Sequence, residues 1–123
     1  MFTKSFYVQI RENQFQVRNV DDSRSTQRKA DAPFTHQRML VGNFTAAQEC
    51  LKSALSEVRG SGFAFITSVV MHPLEKIDGG LSQVEERLFH ELALGAGASR
   101  VVVWVGAPLS DAEVIAKIKT KSP

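Results

Sequence analysis

The stretch Gly80–Ala98, GLSQVEERLFHELALGAGA, runs directly into Ser99–Val105, SRVVVWV. Ser82 followed three residues later by Glu85 forms a capping box, in which the hydroxyl and the carboxylate each accept a hydrogen bond from a main-chain amide at the start of a helix. Apolar residues then recur at helical spacing, which predicts a face directed at the core. These residues are Val84, Leu88 and Leu92, with Phe89 beside them. A helix that passes at once into an apolar strand predicts a crossover over one face of a sheet.

Small residues end this helix. Gly95 is predicted to adopt the left-handed conformation that terminates a helix, and Gly97 with its alanine neighbours lets the chain turn closely against the sheet. The strand that follows is predicted over Arg100–Val105, because this segment is a short, continuous apolar run. Trp104 lies within it and is interpreted as a core residue whose indole N–H seeks a carbonyl.

Upstream of this stretch, polar and apolar residues alternate over Ser5–Ile10 and Phe15–Val20, which predicts two strands joined as a hairpin. Their inward residues would be Phe6, Val8, Ile10, Phe15 and Val17. The segment over residues 21–32, DDSRSTQRKADA, has no large apolar side chain and is predicted to be a mobile loop.

A helix and a buried strand are predicted next. Phe44–Val58 has apolar residues such as Leu51 on one face, and Thr45 followed by Gln48 is a second capping box at its start. Phe63–Met71 is rich in β-branched and aromatic residues, which is typical of a buried strand.

The C-terminal part predicts one more helix. Ser110 followed by Glu113 is a third capping box, and it precedes a short apolar stripe and a polar tail over residues 120–123. The stripe consists of Val114, Ile115 and Ile118. The predicted order is therefore hairpin, helix, strand, helix, strand, helix, and the fold class is α/β with a mixed sheet.

Composition places the chain among ordinary globular domains. Its 123 residues are 43% hydrophobic and 23% charged, which is enough for one buried core and too apolar for wholesale disorder. The net charge of +2, with both signs interspersed, predicts no nucleic acid partner even though Arg18, Arg24, Arg28 and Lys29 could touch phosphates. A single cysteine, Cys50, and the lack of an apolar run of about 18 residues predict a cytoplasmic protein with no transmembrane segment.

Two longer runs resemble the bacterial actin-like, rod shape-determining (MreB) family. Leu81–Pro108 carries Gln-Val-Glu and Gly-Ala-Gly-Ala at the spacing of that family, and Arg38–Leu55 is similar to its preceding amphipathic helix, with Phe44 in register. The resemblance implies a single truncated actin-like domain over residues 1–123, like the first, RNase H-like half of an actin fold. The run Gly79–Arg87 is also similar to a short, YjaA-like class of uncharacterised bacterial proteins associated with stress.

The resemblance implies a nucleotide site that has been lost. In the actin-like family ATP is held by phosphate hairpins, and the matching positions here are the degenerate residues Gln9, Arg11 and Glu12. An amide replaces the carboxylate that would organise magnesium, and a long side chain and a negative charge stand where phosphate needs small residues. Glu85 matches a family position that orients the hydrolytic water, but its capping role is sufficient. The resemblance therefore implies no cofactor, no catalytic residue and a non-catalytic protein-interaction or structural module linked to cell shape or stress.

A protein partner follows from the same resemblance, because half of an actin fold leaves an apolar face uncovered. The third helix is the candidate interface through Val114, Ile115 and Ile118, and a core role for the same residues stays open. The implied partner is a second copy, in a homodimer, or a bacterial actin.

An alternative function also stays open, namely a small-ligand or nucleotide-binding enzyme that uses the C-terminal edge of the sheet. The residues at that edge would be Gln9, Arg11, His72 and Gly106. No metal site is predicted, because His36, His72 and His90 are scattered along the chain without a carboxylate or thiolate at ligand spacing.

Overall fold

The structure, a computed structural model, describes residues 3–60, 64 and 66–120. Within those residues the strands, in chain order, are β1 (Thr3–Arg11), β2 (Gln14–Asn19), β3 (Ser25–Lys29), β4 (Ile66–Pro73) and β5 (Arg100–Val103). The helices there are α1 (Phe44–Val58), α2 (Gln83–Gly95) and α3 (Asp111–Thr120). The strands form one mixed sheet in the order β3-β2-β1-β4-β5, so the predicted α/β class is confirmed.

The sheet is antiparallel on one side and parallel on the other. β1, β2 and β3 follow one another through short connections and pair antiparallel, with Val8 opposite Val17 and Val17 opposite Thr26. β4 and β5 are reached by crossovers through α1 and α2, and each runs parallel to its neighbour. This arrangement brings the ends of β1 and β4 side by side, with Gln9 next to His72.

One face of the sheet, here called the α1 face, is apolar and lies under α1 and α2. Strand alternation sends every second side chain to this face, and the inward residues predicted for the hairpin are buried there. Burial of a large apolar side chain stabilises the fold by about 1.5–3 kcal/mol. The buried strand residues of the α1 face are Phe6, Val8, Ile10, Phe15, Val17, Val69, Met71 and Val101.

The opposite face, here called the α3 face, is covered only in part. α3 packs Val114 and Ile118 against Tyr7 and Val70, and these side chains are buried. The candidate interface is therefore corrected: Val114 and Ile118 are core residues, and Ile115 is half-buried beside them. The reason is topological, because the chain leaves β5 and returns over the face that α1 and α2 leave open.

β3 corrects the loop predicted over residues 21–32. Ser25–Lys29 has no large apolar residue, so its sequence indicates a loop, yet it pairs with β2 along its whole length. An edge strand of this kind is held by main-chain hydrogen bonds rather than by burial, since its residues are exposed or half-buried. Of the predicted tail over residues 120–123, Thr120 is the last residue of α3 and the rest lies outside the described residues.

Strand boundaries differ from the predictions by a few residues. β4 extends to Pro73, beyond the predicted end at Met71, while residues 63 and 65 of the predicted strand lie outside the described residues. β5 ends at Val103 rather than at Val105. No helix in the described part of the chain is long and apolar enough to cross a lipid bilayer.

Two helices begin with reciprocal capping bonds. Ser82 Oγ accepts a hydrogen bond from the Glu85 amide at 3.1 Å, and the Glu85 carboxylate accepts one from the Ser82 amide at 3.0 Å. Ser110 and Glu113 make the same pair of bonds at 3.2 and 2.8 Å. The bonds from Ser110 lower the pKa of the Glu113 carboxyl, because they favour its charged form.

The cap predicted at Thr45 and Gln48 is wrong. Asn43 precedes the first residue of α1, and its side-chain oxygen accepts a hydrogen bond from the Ala46 amide at 3.1 Å. Asparagine is among the best N-cap residues, so it takes this role ahead of Thr45. Gln48 instead reaches α2, where its Nε2 donates to the Gly95 carbonyl at 3.1 Å.

α2 departs from its predicted details at both ends. Val84 is 73% exposed, because the buried stripe of the helix runs through Leu92 and leaves the first turn outside. Gly95 is still helical, and a Cβ atom there would lie 2.8 Å from the Gln48 amide, so a larger residue would displace that side chain from its bond to the Gly95 carbonyl. The left-handed φ of 114° belongs to Gly97.

Candidate functional site

A buried hydrogen-bond network joins β1, β4 and the loop that follows β5. The rings of Tyr7 and His72 stack on the α3 face at a centroid distance of 5.8 Å, and His72 is fully buried. Tyr7 Oη lies 2.6 Å from His72 Nδ1, and His72 Nε2 lies 3.0 Å from the Gly106 carbonyl oxygen. The Tyr7 hydroxyl oxygen also lies 3.1 Å from the Leu109 amide and 3.3 Å from Gln9 Nε2, and it accepts from both.

The partners define the protonation state of this network. A carbonyl only accepts, so His72 Nε2 carries the proton that it donates to Gly106. Nδ1 of the neutral ring is then an acceptor, and the Tyr7 hydroxyl donates to it. Burial lowers the pKa of His72 and outweighs the Gly106 bond, which agrees with a neutral ring. With its polar atoms satisfied, the network acts as a clamp that holds the loop after β5 on the sheet.

The loop itself depends on a glycine. Gly106 has a φ of 153°, and a Cβ atom there would lie 2.6 Å from the Trp104 ring. The Trp104 indole donates to the Ala107 carbonyl at 2.9 Å. Its ring is half-buried, whereas the sequence predicted a core residue. Lys117 Nζ lies 3.9 Å from the centre of this ring, in a cation–π contact that ties the loop to α3.

An open groove of about 440 Å³ lies beside the clamp. Its floor includes Gln9 and Gln16, which are opposite each other on β1 and β2, and its wall is the segment Pro108–Asp111. Arg18 also lines the groove, but it donates to both carboxylate oxygens of Asp111 at 2.8 and 3.1 Å. This bonding raises the pKa of Arg18 and balances its charge. The groove is therefore lined by the neutral amides of Gln9 and Gln16, next to the ion pair between Arg18 and Asp111.

The structure brings together three of the four residues predicted at the strand ends. Gln9, His72 and Gly106 belong to the clamp, whereas Arg11 is exposed at the end of β1. Glu12 lies in the turn between β1 and β2. Its main-chain amide donates a hydrogen bond to the carboxylate of Glu75, in the loop after β4.

Of the four basic residues considered for nucleic acid binding, the three arginines are each next to a carboxylate, whereas Lys29 is exposed on β3. Arg18 lies on the α3 face, whereas Arg28 lies on the α1 face at 3.5 Å from the Glu57 carboxylate. Arg24 is 3.4 Å from Asp22. Each of the three arginines is therefore next to a carboxylate of its own chain, which weakens the field that would attract phosphates.

Cys50 is buried under β3, with Sγ 3.7 Å from the Arg28 carbonyl oxygen. Burial raises the pKa of this thiol, so the group stays protonated and packs as a small apolar side chain. Over residues 3–60, 64 and 66–120, no three His, Cys, Asp or Glu side chains are grouped to hold a metal ion.

β3 is one edge of the sheet. The hydrogen bonds at its two ends show which of its residues turn their amide and carbonyl groups toward β2. The Asn19 amide donates to the Arg24 carbonyl at 2.7 Å, and the Ala30 amide donates to the Asn13 carbonyl at 2.9 Å. Hydrogen-bonded pairs alternate along an antiparallel ladder, so every second residue of β3 directs its amide and carbonyl away from β2. These outward residues, for which the described part of the chain supplies no main-chain partner, are Ser25, Gln27 and Lys29.

These features define a small mixed α/β domain with a clamped polar groove on one face and a polar edge strand. In sequence, the chain is 36% identical over 125 residues to the uncharacterised protein YjaA of Escherichia coli (strain K12), a match that covers 94% of this chain and 97% of YjaA. The chain therefore belongs to the family of YjaA. No protein-family model matches it.

The assignment to the actin-like MreB family is wrong, because the similarity found is to YjaA and no actin-like model matches. The two motifs that suggested it have local roles in this fold. The Ser82–Glu85 box starts α2, and the glycine at position 95 allows α2 to approach Gln48. Capping boxes and small-residue turns recur in unrelated folds for such reasons.

The Tyr7–His72 pair was not predicted from the sequence, although the alternation of side chains along the two strands indicates it. Tyr7 and Gln9 alternate with the apolar inward residues of β1, so they lie on the opposite face. His72 alternates in the same way with Met71 in β4. Polar residues on the same face of two strands predicted to run side by side are candidates for a shared network.

Proposed function

We propose that this protein is a non-catalytic protein-binding module and that its binding surface is the outer edge of β3. The observation that supports it is the outward direction of the main-chain groups at Ser25, Gln27 and Lys29. An extended segment can add to such an edge as another strand. Main-chain hydrogen bonds then supply affinity, and the alternating side chains of the added strand supply selectivity.

The state of the polar side chains supports a non-catalytic role. The Tyr7 hydroxyl already donates to His72 and accepts from two donors, so its proton and its lone pairs are engaged in holding the loop. A general acid or base needs a proton or a lone pair that can face a substrate. Arg18 is likewise engaged by Asp111.

The groove supports a second candidate, a site for a small neutral ligand. The amides of Gln9 and Gln16 line its floor and offer both donors and acceptors. Hydroxyl or amide groups of a ligand suit such a lining better than phosphates, because the Arg18 charge is balanced by Asp111.

Two finer assignments accompany the proposal. The strand order β3-β2-β1-β4-β5, with an antiparallel part followed by two parallel strands, supports an RNase H-like arrangement of the domain. A single buried thiol at Cys50 supports a reducing, cytoplasmic location.

Site-directed photocrosslinking in cells that express the full chain tests the binding surface. A photoreactive phenylalanine analogue replaces Gln27 on β3 or, as the matched control, Ala112, which is exposed on α3. We expect protein adducts from position 27 and few from position 112. Equal adduct yields from the two positions, or no adduct from position 27, reject the β3 edge as the binding surface.

A further inference from the structure

We propose that the segment added to β3 is the β3 strand of a second copy of this chain, antiparallel and with Gln27 opposite itself. This inference rests on the proposed function, since it names the partner of that same edge. A twofold axis through Gln27 would join the two sheets into one continuous sheet. Ser25 would then lie opposite the partner's Lys29, so the outward amides and carbonyls of both strands would bond to each other.

Charge selects this register. Paired residues share a face of the sheet, so the register can shift only in steps of two residues. One such shift would set Arg28 opposite the partner's Arg28, and the other would set Arg24 opposite the partner's Arg28. With Gln27 on the axis, Arg28 faces the partner's Thr26 instead. Because like charges directly opposite each other are destabilising, the central register is favoured over both neighbours.

The α1 face of the paired strands is complementary in this register. Thr26 Oγ1 donates to the Glu57 carboxylate at 2.9 Å, and Arg28 lies 3.5 Å from the same carboxylate. Since Arg28 would lie opposite the partner's Thr26, it would also come close to the partner's Glu57. Each carboxylate would then attract cations from both copies.

The α3 face of the paired strands carries a row of amides that the axis would extend. Gln9 lies opposite Gln16 across β1 and β2, and Gln16 lies opposite Gln27 across β2 and β3. A second copy would continue this row through its own glutamines. Within one copy, Gln27 Nε2 donates one hydrogen bond to Gln14 Oε1. Its Oε1 and its second N–H stay available to the partner's Gln27 across the axis.

The test uses Gln27, because it is the residue of β3 that faces its own copy. Gln27→Lys and Gln27→Glu each place like charges across the axis, and each is expected to weaken self-association about two- to five-fold in sedimentation equilibrium. A mixture of the two variants pairs opposite charges. With one variant isotope-labelled, native mass spectrometry is expected to show more mixed dimer than random pairing gives. Gln16→Lys is the matched control, since it adds the same charge on the same face one strand away from the axis.

Gln27→Pro supplies the largest effect. It removes the outward amide and leaves the bonds to β2 in place, so we expect the dimer to be lost while circular dichroism still reports a folded chain. If this variant unfolds, the charge variants still decide the question. A wild-type chain that stays monomeric up to its solubility limit overturns the inference, as does a mixture without excess mixed dimer.

Photocrosslinking keeps the two proposals distinguishable. Adducts from position 27 with twice the mass of the chain support the second copy. Adducts from that position with other proteins alone reject self-pairing and leave β3 as the binding surface.

Discussion

The two faces of the sheet are built from the same strands and depend on different interactions. On the α1 face, large apolar residues such as Phe15 and Leu51 pack against each other with no exposed surface. On the α3 face, Tyr7 and His72 meet through hydrogen bonds under a short helix, and Gln16 lies beyond that helix. The antiparallel part of a sheet can leave one face to water. We therefore expect the α1 face to contribute most of the stability of the fold, while the α3 face provides the polar surface.

The largest expected effect separates the two faces directly. Phe15→Ala removes a buried ring that stacks on Phe34 at a centroid distance of 5.0 Å. We expect the free energy of unfolding to fall by about 3–5 kcal/mol, because the cavity adds to the lost burial. Urea denaturation measures this change.

Val114→Ala is the smaller truncation on the α3 face, at a position that is also fully buried. It removes two methyl groups, and we expect a loss of about 1.5–2 kcal/mol. Equal losses for the two variants, or a smaller loss for Phe15→Ala, would contradict the assignment of the main core to the α1 face.

An intermediate effect is expected at the clamp. Tyr7→Phe keeps the ring but leaves His72 Nδ1 without a donor and the Leu109 amide without an acceptor. We expect a loss of about 1–3 kcal/mol and faster amide hydrogen exchange at Leu109. Ser25→Ala, which removes an exposed hydroxyl from the same face, is the control and should change neither quantity. Unchanged exchange at Leu109 in Tyr7→Phe would mean that the loop is held by other contacts.

The α1 face could be predicted from the sequence, because its information is periodic and local. Alternation in β1 and β2 identified inward residues that are buried, and helical spacing identified the covered side of α1 through residues such as Leu51. Each capping box lies within four consecutive residues, so its hydrogen bonds do not depend on the rest of the fold. The two boxes are Ser82 with Glu85 and Ser110 with Glu113.

The α3 face depends on information that periodicity does not contain. Tyr7 and His72 are 65 residues apart, and only the parallel pairing of β1 with β4 brings them together. The stripe at Val114 has the same spacing whether a sheet or a partner covers it. β3 carries no apolar signal, since its pairing is made by main-chain groups that every residue possesses.

The smallest expected effect is a response to acid that belongs to the α3 face. Burial lowers the pKa of His72 in the folded chain below the ordinary value of about 6.5 that it has when unfolded. The unfolded chain therefore binds the proton more tightly. The stability contributed by the neutral ring is complete above about pH 6.5 and is lost as the pH falls from there through the folded-state pKa. Each pKa unit of separation corresponds to about 1.4 kcal/mol.

Urea denaturation at several pH values between about 5 and 7 tests this response in wild-type, His72→Gln and His36→Gln chains. His36 is exposed, so its replacement removes an imidazole without touching the clamp. We expect the decrease in unfolding free energy toward acid to persist in His36→Gln and to disappear in His72→Gln. A decrease of the same size in His72→Gln would trace the proton uptake to another group. The two faces would then differ in packing but not in their response to pH, because the apolar side chains of the α1 face do not titrate in this range.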